Sequence, residues 1–64
     1  MSFGENLKRE REKRGITQEE LAKQFGITQG VISQYENGLT SPTVALAVRI
    51  AGFFGTTCEK MVKE

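Results

Sequence analysis

The tetrapeptide Gly-Ile-Thr-Gln occurs at residues 15–18 and again at 26–29, and this repetition limits what the chain can build. A glycine after an apolar-periodic segment ends a helix, because a C-terminal residue must turn left-handed and glycine does so at little cost. A threonine two residues later starts the next helix, its hydroxyl accepting from an otherwise unpaired backbone N–H. Each copy is therefore a stop followed by a start, and the helix between them is confined to residues 18–25. The first copy has a complete capping box, Thr17 with Glu20, and Ile16 is placed to staple onto Leu21. In the second copy Ile27 and Ile32 repeat the staple around Thr28, but Val31 stands where the glutamate would be.

The same punctuation divides the rest of the chain. Gly38 and Gly55 close two further periodic segments, and Thr57 can cap a last short turn through Cys58, Met61 and Val62. Ser41-Pro42-Thr43 offers two starts for a fourth helix: Ser41 as cap with Pro42 at the first position, or Thr43 as cap. The expected helices cover residues 3–13, 18–25, 29–37, 44–54 and 58–62, and no segment alternates as a strand does. The fold class is all-α, a compact five-helix arrangement. Its core should combine Leu7, Ile16, Leu21, Ala22, Phe25, Ile32, Val44, Ala47, Ile50, Ala51, Phe54 and Met61.

Composition removes most chemistry. With 64 residues, one domain spanning 1–64 is expected. A domain of this size buries only about 60% of its unfolded surface, so it needs efficient helix packing or a partner. The single cysteine, Cys58, excludes an internal disulfide, and the absence of histidine excludes a Cys/His zinc site. All eight acidic residues are glutamates, so no Ser-His-Asp or Cys-His constellation is possible. Glutamates on helices are solvation and pairing groups, and the expectation is no enzyme, no cofactor and no metal. The lone cysteine and the lack of a membrane-length apolar run fit a reducing, cytoplasmic setting. Net charge is +1, yet residues 8–14, KREREKR, hold five of the nine basic residues. Such a run is either a solvated helix face or a phosphate-facing flank.

The second and third helices are joined by Gly26-Ile27-Thr28 alone. Two short helices about a three-residue turn with glycine describe a helix-turn-helix, a corner that also occurs as plain packing in helical bundles.

Nearly the whole chain resembles the phage-repressor/Cro-like helix-turn-helix family of XRE type. The resemblance begins at Leu7 and Arg11 in LKREREKRG and continues through ITQEELAKQFGIT and VISQYENG. It then takes in Pro42, RIAGFFGTT and Met61, with no insertion or deletion. Departures are Ala47, where the family favours leucine, and Leu46 and Phe53, where it favours polar residues. The Leu39-Thr40-Ser41 loop also lacks the basic residues that often help hold DNA.

The resemblance implies a sequence-specific DNA-binding regulator, a repressor or controller, with the third helix in the major groove and the second across the backbone. By position it assigns Gln29, Gly30, Ser33 and Gln34 to bases, and Gln18, Thr28, Asn37 and Thr40 to phosphates. Helical spacing agrees: 29, 30, 33 and 34 share a face, opposite Ile32. Glutamine can pair bidentately with adenine. Helix N-termini can hold phosphate without lysine, and Lys8, Arg9, Arg11 and Arg14 are flank candidates. The resemblance further implies an ion pair between Arg11 and Glu36. The fourth helix has a second apolar row, Leu46, Ile50 and Phe53, which suggests a homodimer through Leu46, Gly52, Phe53 and the turn to Cys58. The operator should then be a pseudo-palindrome of double-stranded DNA. The alternative is an antitoxin or partner-binding module of the same fold, which the near-neutral charge and uncharged reading face would suit.

Overall fold

Local capping decides where each helix begins. In the computed structural model, which describes residues 2–63, α1 (Phe3–Lys13) starts at Ser2. The Ser2 hydroxyl accepts from the Glu5 N–H, and the Glu5 carboxylate accepts from the Ser2 N–H. This capping box was not among the sequence expectations. The α2 helix (Gln18–Phe25) starts at Thr17 with the reciprocal Glu20 box, and α3 (Gln29–Glu36) starts at Thr28, whose hydroxyl accepts from the Val31 N–H. The α4 helix (Val44–Phe53) starts at Thr43, not Ser41, with the Leu46 N–H donating to the Thr43 hydroxyl. The α5 helix (Cys58–Lys63) follows Thr57, whose hydroxyl accepts from the Lys60 N–H. Asn37 and Phe54 are C-caps of α3 and α4, one residue beyond each helix as observed. The glycines of both repeats are left-handed, Gly15 at φ 67° and Gly26 at φ 66°.

Packing of α2 on α3, α1 on α3 and α5, and α4 on α5 encloses one apolar cluster. Leu7, Leu21, Ala22, Ile32, Ile50, Ala51, Phe54 and Met61 form it, Ala47 is buried too, and Ile16, Phe25 and Leu46 pack against the cluster half-buried. Val44 is a correction: it is 78% exposed. It lies on the same helical row as Ala47 and Ala51 but at the first position of α4, where the row runs past the end of the core. The second row also divides, since Ile50 is fully buried while Phe53 keeps 44% of its surface.

Two buried features join α1 to its neighbours without any periodic signal in the sequence. The fully buried Asn6 side chain donates from Nδ2 to the Met61 carbonyl of α5. Gly4 lets α1 touch the α3 backbone, because a Cβ there would collide with the Tyr35 carbonyl oxygen. That close approach sets the height of α1 beside the last turn of α3, where Glu36 sits.

Candidate nucleic-acid interface

The three-residue turn Gly26-Ile27-Thr28 holds α3 against α2 so that Ile32 faces inward and is fully buried. The helical period then turns Gln29, Gly30 and Gln34 outward, all exposed, with Ser33 half-buried beside them. This face is polar and uncharged. At Gly30 a Cβ would meet only the Thr28 hydroxyl, at 3.9 Å, so the surface there is open. Both helix starts, with their capping threonines exposed, lie at the same corner.

A run of side-chain hydrogen bonds connects this face to the interior. Gln29 Nε2 donates to Gln18 Oε1 at 2.5 Å, and Gln18 Nε2 donates to Glu36 Oε1 at 2.9 Å. The Arg11 guanidinium closes the run, with Nε donating to Glu36 Oε2 at 2.7 Å and Nη2 to Glu36 Oε1 at 3.1 Å. Arg11 Nη1 donates to the Ile16 carbonyl at 2.8 Å, inside the first Gly-Ile-Thr-Gln copy. The pair is nearly enclosed, with side-chain exposures of 11% for Arg11 and 2% for Glu36. The Glu36 hydrogen bond raises the Arg11 pKa above its ordinary value, against a smaller opposing effect of burial. Arg11 therefore uses three of its five N–H donors within the protein. Sequence reasoning reached the pair by resemblance but missed both glutamine links; Gln18 and Gln29 recurring at the same place in the repeat was their only trace.

The flank residues differ in how they are held. Arg14 donates from Nη1 to the Glu10 carboxylate at 2.7 Å and from Nη2 to the Phe54 carbonyl at 2.8 Å. Its guanidinium also lies 4.8 Å over the Phe54 ring, so it links the end of α1 to the end of α4. The Arg14 hydrogen bond holds the Glu10 carboxyl below its ordinary pKa. Arg9 is half-buried with Glu10 at 3.9 Å, and Lys8 is exposed. Asn37 Nδ2 donates to the Ser33 hydroxyl at 3.4 Å, and Asn37 and Thr40 are both exposed after α3.

The α2–turn–α3 corner, with its polar outer face and buried inner one, defines a helix-turn-helix protein, and sequence comparison agrees. The helix-turn-helix family matches residues 7–61, and the chain belongs to that family, in its XRE-type branch. An HTH-type transcriptional regulator of Methanocaldococcus jannaschii is 42% identical over 53 residues, 83% of this chain and 80% of that protein. The HTH-type transcriptional activator BcrR of Enterococcus faecalis is 32% identical over 97% of this chain, which spans 30% of that longer protein. Among solved structures, the P22 c2 repressor in complex with synthetic operator 9T superposes with a TM-score of 0.90. It is 25% identical, with 98% of this chain and 96% of that one covered. The family is one of transcriptional regulators, not an enzyme class. Among the described residues, no helix is long and apolar enough to cross a membrane.

Proposed function

We propose that the chain is a sequence-specific regulator that binds double-stranded DNA as a homodimer at a pseudo-palindromic operator. One observation carries this: α3 presents Gln29, Gly30, Ser33 and Gln34 outward on a helix fixed by the buried Ile32. In the reading, those four residues face base edges in the major groove. Gln18, Thr28, Asn37, Thr40, Lys8 and Arg9 face phosphates, helped by the α2 and α3 N-termini. Arg11 and Arg14 can each add the N–H groups that their hydrogen bonds within the protein leave over. No cofactor takes part, and the protein acts in the cytoplasm on DNA.

Support for the dimer comes from the outer side of α4 and the approach to α5. Gly52 is open and Phe53 exposed, while Leu46 and Cys58 are half-buried and offer their outer edges. A two-fold contact there would place the recognition helices in successive major grooves, about 34 Å apart.

Selection of bound sites from a random duplex library, with a salt titration on the best site, tests the reading. A symmetric motif and a negative salt slope are expected from phosphate neutralisation. No enriched motif would favour the partner-binding alternative. Sedimentation of the DNA-free protein at micromolar concentration should show a dimer, and a monomer would count against the α4 contact.

A further inference from the structure

Asn37, the C-cap of α3, is followed by Gly38, the one Asn-Gly pair in the chain. An asparagine amide before glycine is open to attack by the next backbone nitrogen, because glycine has no side chain to obstruct ring closure. We propose that Asn37–Gly38 is a self-modification site, kept shut by the α3 C-cap and by bound DNA, whose conversion to a carboxylate lowers DNA affinity. The inference rests on the reading that Asn37 meets a phosphate.

The reaction needs only water. The Gly38 nitrogen bonds to Asn37 Cγ, its proton passing through solvent to the side-chain nitrogen, which leaves as ammonia. Water then opens the five-membered imide at either carbonyl, giving aspartate or the isoaspartate in which the main chain runs through the side chain. The net change is amide plus water to carboxylate plus ammonium, with nothing oxidised or reduced.

The closed cap holds the pair off this path. Ring closure needs the Gly38 nitrogen beside Asn37 Cβ, whereas Asn37 at ψ 0° keeps it beside its own backbone nitrogen. The Gly38 N–H donates to the Tyr35 carbonyl at 3.2 Å, and the Leu39 N–H to the Gln34 carbonyl at 2.9 Å. The Asn37 amide itself donates to the Ser33 hydroxyl at 3.4 Å. Little else secures the cap. Asn37 and Gly38 are exposed, and nothing lies within 4 Å of where a Gly38 Cβ would stand. Leu39 keeps 73% of its surface exposed, where a residue at that position often packs back on the helix. Such an end opens locally at small cost, and the opening can stop at Glu36, which Arg11 holds. Asn6, the other asparagine, lacks these conditions, being fully buried, followed by Leu7 and bonded to the Met61 carbonyl.

The product suits DNA poorly. A carboxylate after α3 meets the negative end of the helix dipole, and an amide that donates to phosphate becomes a group that only accepts. A phosphate held by Asn37 Nδ2 would conversely keep the cap closed, so that bound protein lasts while idle protein ages.

The test ages wild type at mildly alkaline pH in three states: DNA-free, saturated with its selected operator, and unfolded in guanidinium chloride. Peptide mapping by mass spectrometry follows conversion at Asn37. It should be fastest in the unfolded chain, slower in the free fold and slowest on the operator, with Asn6 intact in both folded samples. The aged free protein should lose affinity in step with its converted fraction. Asn37→Asp should bind about tenfold more weakly at every sequence, from loss of a hydrogen bond to a charged group. Asn37→Gln, which cannot close the five-membered ring, should keep whatever affinity it starts with. No conversion in the free fold, equal conversion with and without operator, or converted protein that binds as tightly as fresh protein overturns the inference and leaves the DNA reading intact. Aged wild type decides the matter if Asn37→Asp fails to fold by circular dichroism. A fresh wild type that selects no motif overturns the reading on which the inference stands.

Discussion

The two Gly-Ile-Thr-Gln copies are identical in sequence and unlike in structure. The first is followed by Glu19-Glu20, and Glu20 completes a capping box around Thr17. The second is followed by Gly30-Val31, and Thr28 caps α3 alone. Gln18, ending the first copy, is half-buried and hydrogen-bonded at both ends of its amide, while Gln29, ending the second, is exposed with one end held. Local sequence makes both copies into helix starts. What each glutamine can do is decided by distant residues, Glu36 and Arg11 above all.

Breaking that distant support should have the largest effect. Glu36→Leu leaves the Arg11 guanidinium nearly enclosed without its carboxylate, and the expected loss is about 3–5 kcal/mol of folding stability in chemical denaturation. Arg11→Met with Glu36→Leu should recover much of it, since an apolar pair of similar volume needs no compensation. Additive losses in the double variant would show that the two residues are not coupled.

The caps give a smaller and more direct comparison. Thr17→Ala removes a hydroxyl that takes part in a reciprocal box, and Thr28→Ala removes a lone cap. Thermal or urea unfolding should place the first loss at about 1–2 kcal/mol and the second at about 0.5–1 kcal/mol. Equal losses would mean that the Glu20 side of the box contributes nothing.

Gly30→Ala probes the residue that follows the second copy. No neighbour obstructs a methyl group, so the variant should fold as well as wild type or gain up to about 1 kcal/mol of stability. Its DNA affinity should nevertheless fall, because the methyl group would stand between the α3 backbone and the groove. Unchanged binding to the wild-type site would show that the open surface at Gly30 is not needed.

These contrasts explain how far the sequence could be read. Helix number, type and most ends were legible because caps and left-handed glycines act within four residues, as at Thr17 and Gly26. The wrong expectation for Val44 came from a correct helical row extended one turn past the elements that cover it. Asn6 and Gly4 escaped because their partners, Met61 and Tyr35, are far away in sequence and lie on other helices. The repeat drew attention to Gln18 and Gln29, and helical spacing set the second on an outer face with Ser33 and Gln34. The hydrogen bond between the two glutamines depends on the angle at which α2 meets α3, and no short pattern encodes that angle.

The smallest difference between the copies should appear in acid. Hydrogen bonds from the Thr17 backbone and side chain hold the exposed Glu20 carboxyl below its ordinary pKa. A carboxyl whose folded value is depressed stabilises the fold above its unfolded value and loses that contribution as pH falls through the folded one. The α2 start should therefore loosen in acid while the α3 start, with no carboxylate in its first turn, does not. Amide NMR resolves this at single sites. Lowering the pH from neutral to about 3 should shift the Thr17 amide resonance, because that N–H donates to Glu20 at 2.8 Å. The Val31 amide, which donates to the Thr28 hydroxyl at 3.3 Å, should hold steady. Glu20→Gln keeps a residue able to complete the box but cannot titrate. In that variant the Thr17 amide should become as insensitive as Val31, and a response that persists would place the titrating group elsewhere.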